Sequence, residues 1–197
     1  MARTPDLERR QELLDRIVDY LAEHGLAQAT LRPLAKSLDV SINRLVHHFG
    51  SKEQLIDAAL RRAEDRQVAV QQAWLQRNPD ITMAELYRKW WKWICADPAN
   101  LALVRLGHEA AALDSTVTGV AGDVRADQIG VWRRDAEQHL IHDGLSPEAA
   151  HIEASIQKAT FTGLILDLLA TGDRRRLSRA LDINLERLTA MIAATRI

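Results

Sequence analysis

Apolar residues recur at i, i+3 and i+4 from one end of the chain to the other, and the alternation expected of strands never persists. This pattern predicts an all-α protein. A first helix has Thr4 as cap and Pro5 at its first position, buries Leu14, Ile17, Val18 and Leu21, and stops at Gly25. A short second helix has Thr30 as cap and carries Leu31, Leu34, Ala35 and Leu38 to a turn at Asp39 and Val40. Ser41 caps a third helix bearing Ile42, Leu45 and Phe49, and Gly50 ends it. Ser51 caps a long fourth helix that runs towards Trp74, with Asn78, Pro79 and Asp80 as the break. Further helices are expected at about 82–95, 98–112, 120–142, 148–170 and 174–195. Gly144 with Ser146 and Pro147, and then Thr171, Gly172 and Asp173, separate the last three.

Two short helices joined by a tight turn and packed on a longer first helix are the parts of a helix-turn-helix. Ala35 is small enough for the two to cross closely, and Asp39 tolerates a left-handed backbone better than most residues. A plain helical hairpin has the same pattern, and charge separates the two readings. The net charge of −1 over 197 residues excludes a uniformly basic surface, yet between Thr30 and Lys52 the bases Arg32, Lys36, Arg44 and Lys52 face the single acid Asp39. His47 and His48 stand alongside.

Composition narrows the class further. An apolar share of 47% with 27% charged residues is that of a folded globular chain, not of a disordered or membrane protein. No apolar run approaches the ~18 residues that span a bilayer. The charged start from Met1 to Arg10 is unlike a signal peptide. Cys95 is the single cysteine, so an internal disulfide is excluded and a reducing, cytoplasmic location is expected. There is no Gly-rich phosphate loop and no nucleophile elbow, and Cys95 has no motif pairing it with a histidine, so no catalytic activity or cofactor is expected. A metal-responsive sensor is one rival, since His139 and His142 share a helical face with Asp143 and His151 nearby, but no thiolate completes such a set and no metal ligand is assigned. A helical interaction module is the other rival; it explains the final helices and leaves the basic segment unexplained.

The stretch from Leu13 to Leu60 resembles the N-terminal domain of the tetracycline-repressor (TetR) family. The resemblance rests on the Ala22-Glu23-His24-Gly25 ending of the first helix, the Thr30-Leu31-Arg32 start of the second, Ala35, the Val40-Ser41 entry to the third, and His48-Phe49-Gly50-Ser51-Lys52. It covers about a quarter of the chain; the remainder is similar only in its run of helices and its paired C-terminal helices. The resemblance implies a homodimeric repressor that binds double-stranded DNA at a palindromic operator and is released by a small-molecule effector. It divides the chain into a helix-turn-helix domain, 1–52, and an effector-binding and dimerisation domain, 53–197.

Carried over residue by residue, it implies that Thr30 and Arg32 meet a phosphate strand, and that Lys52 adds its ammonium at the start of the fourth helix. Ser41, Ile42, Asn43, Arg44, His47 and His48 belong to the helix expected in the major groove, where Arg44 suits guanine and Asn43 adenine. Asn43 and Arg44 stand where small residues are usual, Val46 replaces a common aromatic, and Pro33 and Asp39 also depart from the family's pattern, so no relative's operator transfers to this chain. Pro33 disfavours helical geometry at Arg32 and predicts a second helix that starts a residue late.

The middle helices would then enclose an effector, with Trp74, Met83, Tyr87, Trp90, Trp91, Trp93, His108, Trp132 and Phe161 as lining candidates. Aromatics at helical spacing ordinarily serve the core, but Trp90 and Trp91 point about 100° apart and cannot share one environment. The last two helices carry apolar residues at Ile152, Ile156, Ala159, Gly163, Leu166 and Leu169 and at Leu177, Leu181, Leu185, Leu188 and Ile192. A twofold partner would cover the surplus, and Ile156, Gly163, Leu181 and Leu188 are the expected centre of that interface.

Overall fold

In a computed structural model, residues 4–112 and 122–195 are described, with side chains at 6–112 and 132–195. Among these residues there are helices and no strand, as the periodicity predicts. The order is α1 (Thr4–His24), a 3-10 turn (Leu26–Gln28), α2 (Leu31–Leu38), α3 (Ile42–Phe49), α4 (Lys52–Arg77), α5 (Met83–Ala96), α6 (Pro98–Ala112), α7 (Gly122–His142), α8 (Pro147–Thr171) and α9 (Arg174–Ala194). Thr4, expected as the cap, is instead the first residue of α1, and its side chain lies outside the described ones. The chain forms two compact units, Met1–Ala73 with Ala99–Ala126, and Trp74–Pro98 with Asp127–Ile197.

In the first unit, α1 buries Leu13, Leu14, Ile17, Val18 and Leu21, α2 buries Leu34, Ala35 and Leu38, and α3 buries Leu45 and Phe49. The first unit reaches well past residue 52 because polar side chains tie α1 to both α4 and α6. Arg62 and Arg66 of α4 reach Asp15 at 2.7 Å each, and Arg66 reaches Asp19 at 2.6 Å. From α6, Arg105 donates to the Ala22 carbonyl at 2.6 Å, and the Glu109 carboxylate accepts from the Leu26 amide at 2.8 Å. Gly25 between them has φ +81°, and a Cβ there would lie 3.2 Å from a Glu109 oxygen, so glycine meets two demands at once.

The second unit is held by apolar stripes reinforced at a few polar points. The amide of Met83, the first residue of α5, donates to the buried Asp143 carboxylate at 2.8 Å, and Thr82 with Glu85 forms a reciprocal cap at the same end. Helix α9 packs on α5 and α8, with Leu177, Leu181, Leu185 and Leu188 all buried. Trp91 donates its indole N–H to Ser178 at 2.8 Å, and Asn184 donates to Gln157 at 2.6 Å.

Candidate nucleic-acid interface

The helix-turn-helix is built by its turn. Asp39 closes α2 in the left-handed conformation, φ 54° and ψ 49°, and the Val40 amide returns to the Ala35 carbonyl at 3.0 Å. Ser41 then caps α3, its hydroxyl oxygen accepting from the Arg44 amide at 3.1 Å. With Leu45 and Phe49 turned inward, the 100° step of a helix carries Asn43, Arg44, Val46 and His47 to the outer face, and all four are exposed. Ile42 and Ser41 are exposed at the entry to α3, whereas His48 is only half-buried on its flank, its ring edge-on to His47 at 5.3 Å.

Around this helix stand the expected phosphate contacts. Thr30 is exposed at the N-cap of α2 and its side chain makes no capping bond. Arg32 is exposed on the first turn. The late start expected of α2 does not occur: it begins at Leu31, with Pro33 as its third residue. A proline is tolerated there because the first four amides of a helix have no partner within it. Lys52 is half-buried as the first residue of α4, preceded by a reciprocal pair in which Ser51 accepts from the Gln54 amide at 3.2 Å and Gln54 accepts from the Ser51 amide at 2.9 Å. Sequence reasoning missed two supports of the arrangement. Arg10 donates to the His48 carbonyl at 3.2 Å and Arg16 to the Leu38 carbonyl at 2.6 Å; both bonds join residues far apart in the chain, so no local spacing announces them.

Of the aromatic candidates, His108 belongs to the first unit and the others to the second. Trp90 is buried at the centre of a cluster, with the rings of Trp74, Trp93 and Trp132 edge-on to it at 5.0, 5.3 and 5.3 Å. Trp91, also buried, turns to Phe161 at 6.2 Å, and Phe161 meets Tyr87 at 4.9 Å. The two neighbouring tryptophans therefore serve different surroundings, as their 100° separation requires. Met83 is buried. Burial pushes the Tyr87 phenol far above its ordinary range, with the carboxylates of Glu153 and Asp135 adding to the effect.

The expected centre of the interface between copies needs correction. Leu181 and Leu188 are 3% and 2% exposed within a single chain, filling the core against α5 and α8, so they have no surface to offer a partner. Ile156 and Gly163 do lie on an outer face. Ile156 is 48% exposed, and nothing lies within 4 Å of a Cβ built on Gly163. The histidines of the metal reading are also dispersed. His139 bonds the Asp135 carbonyl at 2.9 Å, Asp143 caps α5, and His151 pairs with Glu137 at 3.2 Å. Among the described residues no trio of His, Cys, Asp or Glu could hold a metal ion.

A short helix with Asn43, Arg44 and His47 on its outer face, set on a tight turn and flanked by cations, defines a helix-turn-helix protein. Residues 13–59 match the bacterial regulatory proteins of the tetR family. Over 53 residues it is 43% identical to the HTH-type transcriptional repressor KstR2 of Rhodococcus jostii, a match covering 27% of this chain and 26% of the relative. The chain thus aligns with about a quarter of the curated relative's length. Across 91% of its length it superposes on a transcriptional regulator from Rhodococcus sp. Rha1, covering 95% of that chain with a TM-score of 0.72 and 26% identity. A regulator from Saccharomonospora viridis, solved in complex with choline, has the same fold at 18% identity, a TM-score of 0.72 and coverage of 91% and 96%. Among the described residues no helix is long and apolar enough to cross a membrane.

Proposed function

We propose that the chain is a DNA-binding transcriptional repressor that acts as a homodimer on a palindromic operator in the cytoplasm and is released by a small-molecule effector. The observation that carries this reading is the outer face of α3, where Asn43, Arg44 and His47 stand exposed on a helix whose opposite side is locked into the core. Asn and Arg are the side chains suited to bidentate contact with adenine and guanine in the major groove. Thr30, Arg32 and Lys52 supply the register-setting contacts to phosphate. The reading head is residues 1–52, and the remainder carries the effector and the partner.

The outer face of α8 supports the dimer. Its outer face carries Ile152 at 58% exposure and Leu166 at 50%, with Ile156, Ala159 and Gly163 between them. An apolar stripe of this length on a helix already buried on its other side calls for a cover, and a second copy supplies the same stripe. Two heads then read half-sites about 34 Å apart, which one head cannot do. The effector belongs with the aromatic residues of the second unit, the cluster around Trp90 and the group around Phe161. The choline held by one relative of the same fold supports a small-molecule ligand as the releasing signal.

Selection of duplexes from a random pool with the whole chain, followed by binding at several salt concentrations, tests the proposal. A recovered palindrome whose affinity falls steeply with salt supports it. Failure to enrich any sequence, with no retention of DNA at low salt, rejects it.

A further inference from the structure

The helix that faces the bases is only eight residues long, and its pose is set by whatever holds its two ends. Its N-terminus is fixed by the turn, through the Val40 amide on the Ala35 carbonyl and the Ser41 cap. Its C-terminus is held from α1. Arg10 is part-buried, its Nε donates to the carbonyl of His48 at 3.2 Å, and its guanidinium carbon lies 4.9 Å from the centroid of the Phe49 ring. His48 and Phe49 are the last two residues of α3, where unmatched carbonyls gather the negative end of the helix dipole. Further along α1, Arg16 donates at 2.6 Å to the carbonyl of Leu38, the last residue of α2. One helix thus clamps the C-termini of both halves of the motif. A planar guanidinium that bonds a carbonyl and stacks on a ring fixes direction as well as distance, which an ammonium on a flexible stem cannot do.

We propose that Arg10 is a positioning residue for base recognition: through the His48 carbonyl and the Phe49 ring it fixes the tilt of α3, and with it the aim of Asn43, Arg44 and His47. The inference rests on the DNA-binding reading above. Contacts to base edges work only within about 0.5 Å and 10–20° of their ideal geometry, whereas long basic side chains follow a phosphate through larger shifts. Loss of Arg10 therefore degrades discrimination more than it degrades attraction to DNA.

The test uses the whole wild-type chain, Arg10→Ala and Arg10→Lys, an operator duplex selected by the wild type, and a scrambled duplex, at several salt concentrations. In both variants the ratio of operator to scrambled affinity should fall about tenfold, the worth of one well-placed base contact. Scrambled binding and its salt dependence should stay at the wild-type level. In a double-mutant cycle with Arg44→Ala the losses of operator affinity should be less than additive, because Arg10 acts through the aim of that side chain. Equal weakening on both duplexes, with the salt slope lowered by about one, would make Arg10 a phosphate contact and overturn the inference. A lowered thermal midpoint with the ratio intact, or strict additivity with Arg44→Ala, would overturn it too. Arg10→Lys guards against a variant that fails to fold, since it keeps the charge and the stem. A wild type that retains no duplex at low salt sinks the DNA-binding reading and this inference together; a discriminating wild type beside an equally discriminating Arg10→Lys sinks the inference alone.

Discussion

Helices α3 and α8 have the same kind of inner face and opposite kinds of outer face. In α3, Leu45 and Phe49 point inward while Asn43, Arg44 and His47 point out. In α8, Ala150, Ala154, Ile165 and Leu168 are buried, and the side turned away from them is Ile152, Ile156, Ala159, Gly163 and Leu166, again apolar. The inner faces explain why both helices form and where they dock. On the proposed reading the outer faces carry the function: a polar side chain has hydrogen bonds to offer to a polar ligand, and an apolar face gains free energy only when another apolar surface covers it.

The sharpest break of this comparison comes from placing a carboxylate on each side of the α8–α9 pair. Leu188→Glu puts a charge into the core of a single chain and should cost about 3–5 kcal/mol, a large part of the ~5–15 kcal/mol that holds an ordinary domain folded. Ile156→Glu puts the same group on the outer face, so the chain should keep its circular dichroism and a cooperative thermal transition, lowered only by the lost association, while sedimentation shows a monomer. A Leu188→Glu as stable as the wild type, or an Ile156→Glu that sediments as a dimer, would reverse the assignment of the two faces.

That pair of variants also shows how far the sequence can be read. Periodicity located α8 and α9, and the turn chemistry of Asp39, Gly50 and Gly172 located where helices end, because those signals are local. Which of two apolar faces packs inward is decided by neighbours distant in the chain. Leu181 and Leu188 carry the same spacing as a dimer seam, yet they fill the core against α5 and α8. The exposed candidates on α3 were legible because Asn43, Arg44 and His47 mark one side as polar and leave Leu45 and Phe49 to bury, even though Ile42 and Val46 are exposed as well. Arg10, Arg16, Arg105 and Glu109 were not legible, since each serves a backbone group on another element.

Support for the head can be separated from reading by the head. Glu109→Ala leaves the Leu26 amide without its acceptor in a part-buried place, which should lower stability by about 1–3 kcal/mol in urea or heat and leave base preference unchanged. Arg44→Ala should do the reverse. Its loss is about 1–3 kcal/mol of operator affinity, confined to one base pair of each half-site, with no change in the unfolding midpoint. Equal weakening on selected and random duplexes would remove Arg44 from the base-reading set.

On the proposed reading Lys52 is one of the contacts that attract without reading, which Lys52→Ala tests. It should weaken selected and random DNA alike and reduce the slope of log affinity against log salt by about one. An unchanged slope would take Lys52 out of the phosphate set and leave Thr30 and Arg32 to fix the register.

The smallest expected effect concerns acid, and it contrasts the two faces of α1. Asp15 lies on the side of α1 turned towards α4, where the hydrogen bond from Arg62, with Arg66 behind it, holds its carboxyl below the usual carboxylate value of 3.8. A carboxylate depressed in the folded state contributes stability that is present in full above its unfolded value and is lost as pH falls through the folded one. The Asp15 contribution is therefore constant at neutral pH and disappears only below about pH 4. Its side chain remains 33% exposed, so solvent screening keeps that contribution under about 1 kcal/mol. Asp15→Asn should lower the unfolding midpoint slightly at neutral pH and converge on the wild type in acid, because the protonated Asp15 has lost the same ion pair. A difference that persists undiminished at pH 3 would show that the pair with Arg62 does not stabilise α1 on α4.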